Sequence, residues 1–227
     1  MRLTVSTFFA ILERIIKFPM SFTDKETGAY YDSYSDVYAA IWDEQMHTGY
    51  FEDNISKSLE QACGDMNVFL AHAAGIREGT TVLSVGCGRG GTDRYLAKEK
   101  NARVIGIDLS QKQLDEAKRA ADATGLASHI SYIYGSMTAL PIPDTSVDCV
   151  WVQEALFHCH EKDTAIAEFA RVLVPGGIVV LEDTVLLDAT QKAEAMRAFG
   201  ERVHINEIPT PDEYTLRFAA HWTSTSK

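Results

Sequence analysis

From residue 54 to residue 183 the chain alternates between two hydrophobic periodicities. In NISKSLEQACGDMNVFLAHAAG, Ile55, Leu59, Ala62, Cys63, Met66, Phe69, Leu70 and Ala73 recur at three- and four-residue spacing, which predicts one buried helix face with Gly75 as its stop. TTVLSV (80–85) is a short, mostly apolar run and predicts a strand buried on both faces. A glycine cluster follows, then TDRYLAKEK as the start of a helix. ARVIGIDLS predicts a second strand ending at Asp108, and QKQLDEAKRAADATG a helix with Leu114 and Ala117 inward and Gly125 at its end. ISYIYGS, VDCVWVQ and GIVVLED predict three more strands. The last two are separated by the helix DTAIAEFARVLV, in which Ile166, Phe169, Ala170 and Leu173 share a face. Strands alternating with helices of this length predict an α/β fold, a Rossmann-like doubly wound parallel sheet with helices on both sides.

No linker composition divides the chain, so 1–227 reads as a single domain. Residues 1–53 are its aromatic-rich lid or cap, 54–183 its cofactor-binding core, and 184–227 a helical C-terminal segment. A chain of 227 residues can bury roughly 70% of its unfolded surface in one core. In MRLTVSTFFAILERIIKFPM, the residues Val5, Phe8, Phe9, Leu12, Ile15 and Ile16 mark one helix face, while Glu13, Arg14 and Lys17 interrupt it too early for a membrane span. A packing or lid helix is expected there, with organelle targeting or membrane-surface contact through residues 1–20 as the alternative.

Charge and cysteines narrow the function. A net charge of −11 disfavours a nucleic-acid backbone as partner and leaves a small molecule. The four cysteines form no CxxC pair, so neither structural zinc nor a disulfide framework is expected, and a reducing, cytoplasmic setting follows.

The loop Gly86-Cys87-Gly88-Arg89-Gly90-Gly91 lies where the first strand turns into a helix. In such sheets, ligands bind beyond the carboxyl ends of the strands. Glycines there let a ligand approach the backbone, and the helix start offers unpaired N–H groups. Asp108, 22 positions after Gly86, ends the second strand, where a carboxylate can accept both ribose hydroxyls, so a nucleoside is expected. Gly86, Gly88 and Gly91 also satisfy the dinucleotide fingerprint, so a nucleotide-dependent dehydrogenase stays open as an alternative.

Taken together, VLSVGCGRGG, VIGIDLS, GSMTALPIPDTSVDCVWVQEALFH and RVLVPGGIVVLED resemble the class I S-adenosylmethionine-dependent methyltransferases of small molecules, over most of residues 76–185. The resemblance implies transfer of a methyl group from S-adenosyl-L-methionine to a small-molecule acceptor. It implies that Gly86, Gly88 and Gly90 face the methionine part of the cofactor, Asp108 the ribose and Leu109 the adenine. Ser136 and Met137 would border the adenine edge, and Gln153 would lie beneath the sulfonium. YDSYSDVYAAIWDEQMHTGYFED is similar to the N-terminal stretch of tocopherol-type methyltransferases, which implies a cofactor role for Tyr31 and an acceptor-binding role for Trp42 and His47. YGSMTALP and VWVQEALFHC look like sarcosine/dimethylglycine methyltransferases, so the acceptor atom stays open between an amine nitrogen and a ring carbon. Ser84 stands where this family usually has an acidic residue that orients the cofactor's amino group. Ser136 stands where many members have Asp, although the sarcosine-like members share the serine.

Methyl transfer from a sulfonium mainly requires alignment and exclusion of water, with few catalytic side chains. His158, after the fourth strand, is the candidate to receive a proton from the acceptor, or else it only hydrogen-bonds its loop. Glu154 is expected to cap the next helix, with a polar contact to substrate as the other reading. His158 and His160 form an HxH pair without a third ligand at suitable spacing, so no metal site is expected. Tyr30, Tyr31, Tyr34, Tyr38, Trp42, Tyr50 and Phe51 are expected mostly in packing.

In the resembled family, a helical segment and an antiparallel hairpin follow the fifth strand. Here TPDEYTLRFAAHW reads as the helix before that hairpin, and TSTSK is too short for it. Five parallel strands without a closing hairpin are expected, with the fifth strand's edge open or covered by residues 184–222 and therefore prone to self-association. That pattern would suit a truncated product that binds cofactor better than it turns over.

Overall fold

The computed structural model describes residues 21–42, 45–52, 56–200 and 204–222. The helix expected over residues 1–20 lies outside them, as does the side chain of Trp42. After α1 (Asp24–Trp42), the core begins with α2 (Leu59–Ala73), opened by a capping box in which the Ser58 hydroxyl accepts from the Gln61 N–H and the Gln61 side chain accepts from the Ser58 N–H. Gly75, at φ +60°, follows the helix end.

Then come β1 (Thr81–Val85), α3 (Gly91–Lys100), β2 (Arg103–Asp108), α4 (Gln111–Ala123), β3 (Ile130–Tyr134), β4 (Val147–Gln153), α5 (Lys162–Val172) and β5 (Leu173–Glu182). Short turns lead through α6 (Lys192–Ala195) to α7 (Pro211–Trp222). The strands form one five-stranded sheet in the order β3-β2-β1-β4-β5, with every pair parallel. The chain winds outward from β1 to β3 and then returns to lay β4 on the other side of β1. That reversal opens a crevice over the carboxyl ends of β1 and β4.

The mostly apolar runs of β1 and β4 follow from burial on both faces. Val82, Cys149 and Trp151 point to a core shared with Leu70 of α2, Leu96 of α3 and Ala121 of α4. Leu83, Val85, Val150 and Val152 point the other way, onto Ile166 and Phe169 of α5 and Tyr214 of α7.

β5 starts earlier than the pattern GIVVLED predicts. Val147 pairs with Leu173 and Cys149 with Ile178, so Val174 to Gly177 bulge out of the ladder. Pro175 has no N–H to give, and Gly176 adopts φ +82°. Among the described residues no strand follows Glu182, and the sheet lacks the antiparallel hairpin. Phe218 and Trp222 of α7 pack instead on the cluster that Val179 and Leu181 adjoin. No helix among the described residues is long and apolar enough to cross a membrane.

A small cluster of Phe157, Ile205 and Ile208 seats the segment after residue 204 against the turn Leu156–His158. The buried Lys162 ammonium donates to the Cys159 carbonyl at 2.7 Å and lies 3.6 Å from Glu207, clamping the same two segments together.

Candidate active site

An open cleft lies over the ends of β1, β2 and β4, the place where sheets of this kind take their ligands. Its floor is the glycine loop. Gly86 has φ +69°, and a Cβ there would overlap the Ala155 methyl, so the position excludes any side chain. The Gly88 N–H donates to Asp108 Oδ2 at 2.9 Å and the Ser110 N–H to Oδ1 at 2.8 Å. Asp108 thus fastens the loop to the start of α4. Burial still holds its pKa above the usual carboxylate value, against those backbone hydrogen bonds.

Ser84, Gly86, Gly88, Asp108, Leu109 and Met137 all line the cleft, as do Tyr31, His47, Gln153 and His158. Two expected residues are not brought to it. Gly90 caps α3, and its missing side chain makes room for the Tyr132 hydroxyl, so its constraint is packing. The Ser136 hydroxyl is tied up with Thr138, at 2.7 Å to Oγ1 and 3.1 Å to the N–H, while its neighbours Gly135 and Met137 face the cleft.

At the far wall, Gln153 Oε1 accepts from Trp151 Nε1 at 2.7 Å and from the Thr92 hydroxyl at 2.9 Å. Two donors on one oxygen fix the amide's orientation. Nε2 is buried without a partner among the described residues and is a donor open to a ligand. His47 has its Nδ1 on the Thr48 carbonyl at 3.0 Å and its Nε2 near Gln45, and burial lowers its pKa; the ring is held by the chain's own framework. Glu154 does not cap the next turn, whose N-cap makes no side-chain bond. It adopts φ +45°, rare for a residue with a side chain, and lines the cleft with its carboxylate bonded by the Thr48 hydroxyl.

The most informative geometry surrounds His158. Its Nδ1 lies 2.9 Å from the His204 carbonyl, which can only accept, so Nδ1 carries the proton. Burial pushes its pKa down to about 4, so the ring is neutral near pH 7 and Nε2 has a free lone pair. Tyr31 Oη lies 2.7 Å from that Nε2 and must donate to it. The Tyr31 oxygen therefore keeps its lone pairs for a ligand. Tyr31 itself is carried on α1, pinned over the cleft by Asp32, which accepts from Ser110 Oγ at 2.6 Å, and by Asp36 with Lys112 at 2.8 Å.

The sequence patterns left three supporting residues unassigned: His204, Thr92, and Asn206, whose Nδ2 donates to the Phe22 and His158 carbonyls; Glu154 lines the cleft, the second of the two places read for it. Of these, only Glu154 carried a signal, its place directly after a buried strand.

Three carboxyls of this architecture, the buried Asp93 and the half-buried Glu182 and Asp183, titrate far from their usual range. Burial raises Asp93 to about 7, Glu182 to about 8 and Asp183 to about 7, with like charges adding to the rise and hydroxyl or cationic neighbours opposing it. Each binds its proton more tightly folded than unfolded. Its contribution is complete below the unfolded value and is lost as pH rises through the folded one. His158 has the opposite sign and loses stability only as pH falls from 6.5 towards 4. The melting temperature should therefore fall as pH is raised from 6.5 to 8, as read by calorimetry. A rise across that window would contradict the burial of these carboxyls.

Residues 83–181 match a family described as a methyltransferase domain. The chain is 34% identical over 196 residues to the 27-O-demethylrifamycin SV methyltransferase of Amycolatopsis mediterranei, covering 85% of this chain and 71% of that relative. It is also 34% identical over 163 residues to a sterol 24-C-methyltransferase of Aspergillus fumigatus, covering 72% of this chain but only 43% of that longer protein. Among solved structures it is similar to the cyclase SpnF, with a TM-score of 0.80 and 26% identity over 88% of this chain and 73% of that one. The chain belongs to the class I S-adenosylmethionine-dependent methyltransferases, which transfer a methyl group from that cofactor to small-molecule acceptors. The dehydrogenase alternative is thereby set aside. That the fold also serves a cyclase means that the acceptor chemistry must be argued from the site.

Proposed function

We propose that the acceptor is a hydroxyl group on an apolar small molecule, and that Tyr31 and His158 remove its proton. The observation that carries this reading is the 2.7 Å Tyr31–His158 hydrogen bond with His158 fixed as a base by the His204 carbonyl. The residues present fit S-adenosylmethionine. Asp108 would hold the ribose hydroxyls, Leu109 and Met137 would flank the adenine, and the open edge of Gly86 and Gly88 would receive the methionine part, with Ser84 beside it. The unpartnered Nε2 of Gln153 would supply a donor to an acceptor atom of the bound cofactor or substrate, since a cationic sulfonium itself accepts no hydrogen bond. The cofactor supplies an activated methyl group on a neutral leaving group.

The protein's part is orientation and proton removal. The acceptor hydroxyl donates to Tyr31 Oη. As its oxygen bonds to carbon it becomes strongly acidic and gives that proton to Tyr31, while the Tyr31 proton passes to His158 Nε2. The imidazolium so formed still donates to the His204 carbonyl, and no net charge stays on the tyrosine. A base with a pKa of about 4 suffices because a methylated hydroxyl is a far stronger acid. Glu154 offers a second acceptor for a polar group of the substrate, and His47, with its ring nitrogens engaged, contributes wall. The relative named for a demethylated rifamycin oxygen supports a hydroxyl acceptor.

The test is a product analysis with isotopically methyl-labelled cofactor and a panel of macrocyclic polyketide and phenolic hydroxyls, sterols with a side-chain double bond, and methylated glycines. Label on oxygen is expected. Label found only on carbon or nitrogen overturns the hydroxyl reading, and cofactor binding without any labelled product would favour a cofactor-binding protein without turnover.

A further inference from the structure

Asn206 joins the two stretches of chain that carry Tyr31 and His158. It lies before α7, only 9% exposed, and its amide engages three main-chain groups. The Phe22 N–H can only donate, so it faces the amide oxygen, while Nδ2 donates to the Phe22 carbonyl at 2.9 Å and to the His158 carbonyl. The Asn206 N–H in turn donates to the Phe157 carbonyl at 3.1 Å. One buried amide thus ties the residue just before α1 to the turn of His158, across sequence separations of 184 and 48 residues.

His204 reinforces the same junction. Its ring stacks on Phe22, with centroids 4.1 Å apart, and on Tyr30 of α1 at 4.4 Å. Its backbone adopts φ +54°, and its carbonyl accepts from His158 Nδ1 at 2.9 Å. Tyr31, the next residue on α1, meets the other nitrogen of that ring at 2.7 Å. Farther along α1, Asp32 and Asp36 anchor the helix to the start of α4, which follows β2. His158 follows β4, and β1 lies between those two strands. The anchors at α4 therefore hold α1 over the cleft, while the junction at Phe22 governs how closely Tyr31 approaches His158.

A hydrogen bond of 2.7 Å is lost when its partners separate by about 1 Å. We propose that Asn206 is a positioning residue for methyl transfer: by tying the Phe22 backbone to the His158 carbonyl, it sets the Tyr31 hydroxyl against His158 Nε2. The proposal rests on the Tyr31–His158 relay described above and adds to it a residue that does not itself line the cleft.

Three variants separate this role from general support of the fold. Asn206→Asp keeps the size and the acceptor for the Phe22 N–H but sets an oxygen against two carbonyls. Asn206→Ala removes the amide, and His204→Gly suits the left-handed backbone while removing the stacked ring. The first measurement needs no acceptor: nitrogen NMR of the full chain with isotopically labelled imidazoles near neutral pH. His158→Gln identifies the His158 signals among the seven histidines. In the parent, His158 should carry its proton on Nδ1, with the Nε2 signal displaced by the Tyr31 hydrogen bond, and Tyr31→Phe gives the signal without that bond. Asn206→Asp should move Nε2 towards the Tyr31→Phe position, and should move it no further when the two changes are combined. The second measurement is turnover with a hydroxyl compound that accepts the methyl label. There kcat should fall about 10²-fold in Asn206→Asp, the cost of a misplacement of about 1 Å, with little further loss in the Tyr31→Phe background. Binding of S-adenosylhomocysteine should change little.

If Asn206→Asp does not fold, judged by its melting transition, Asn206→Ala and His204→Gly carry the same two measurements. An Nε2 signal unchanged in the folded variants would overturn the proposal, as would a kcat loss that adds in full to that of Tyr31→Phe. A displaced Nε2 signal together with methyl label found only on carbon or nitrogen would uphold the positioning of Tyr31 by Asn206 while overturning the hydroxyl reading.

Discussion

Replacing His158 with alanine should lower kcat by about 10²- to 10⁴-fold, the range over which a positioned acid–base group contributes, while the dissociation constant of S-adenosylhomocysteine changes little. The reason is the direction of the hydrogen bonds. Nδ1 is committed to the His204 carbonyl at 2.9 Å, and Nε2 is the only site that can receive the Tyr31 proton. Tyr31→Phe removes the oxygen that connects acceptor to imidazole, so it should cost about as much, and the double variant little more, because the pair acts as one relay. The pH profile gives an independent check. A histidine at its ordinary pKa would become protonated as pH falls through 6.5 and take activity with it. Burial puts His158 at about 4, so its protonation should leave turnover intact down to about pH 5. Steady-state kinetics over pH 5 to 8 distinguish the two, and full turnover by His158→Ala would sink the relay.

The fold could be read from the chain because β1 and β4 are buried on both faces. That burial leaves runs such as VLSV and VDCVWV, with helices of amphipathic spacing between them. The glycine loop and Asp108 were legible for a related reason: backbone proximity at a strand end admits few residue types. What could not be read depends on contacts between segments far apart in sequence. The His204 carbonyl that sets the His158 tautomer lies 46 residues beyond it. A backbone carbonyl leaves no mark in the sequence at all. Gly90 looks like a member of the ligand loop, yet the Tyr132 hydroxyl, brought in by β3, explains it. The family resemblance places Ser136 at the adenine edge, while its hydroxyl is engaged by Thr138 two residues on, a local bond that the pattern does not announce. By position alone Glu154 reads as a cap for the next helix or as a polar contact in the cleft. Its left-handed backbone and the Thr48 hydroxyl, reaching it from the segment after α1, bring it to the cleft.

Asp108→Ala should weaken S-adenosylhomocysteine binding by about 1.5–3 kcal/mol, roughly 10- to 150-fold, the scale of hydrogen bonds made to a charged acceptor. The carboxylate would serve two sets of donors at once. Its oxygens already hold the Gly88 and Ser110 N–H groups at 2.9 and 2.8 Å, and each oxygen retains acceptor capacity for a ribose hydroxyl. Removing it therefore takes away the ligand's partner and also releases the loop from the start of α4. Asp108→Asn separates these effects. It keeps one carbonyl oxygen but turns the other position into a donor, which opposes whichever backbone N–H it faces. It should bind more weakly than the parent even if a ribose hydroxyl is still accepted. Because the loss is assigned to the nucleoside, 5′-methylthioadenosine, which has the same nucleoside without the amino-acid end, should weaken alongside S-adenosylhomocysteine. Unchanged dissociation constants for both ligands in Asp108→Ala, with the melting transition intact, would place the ribose elsewhere in the cleft.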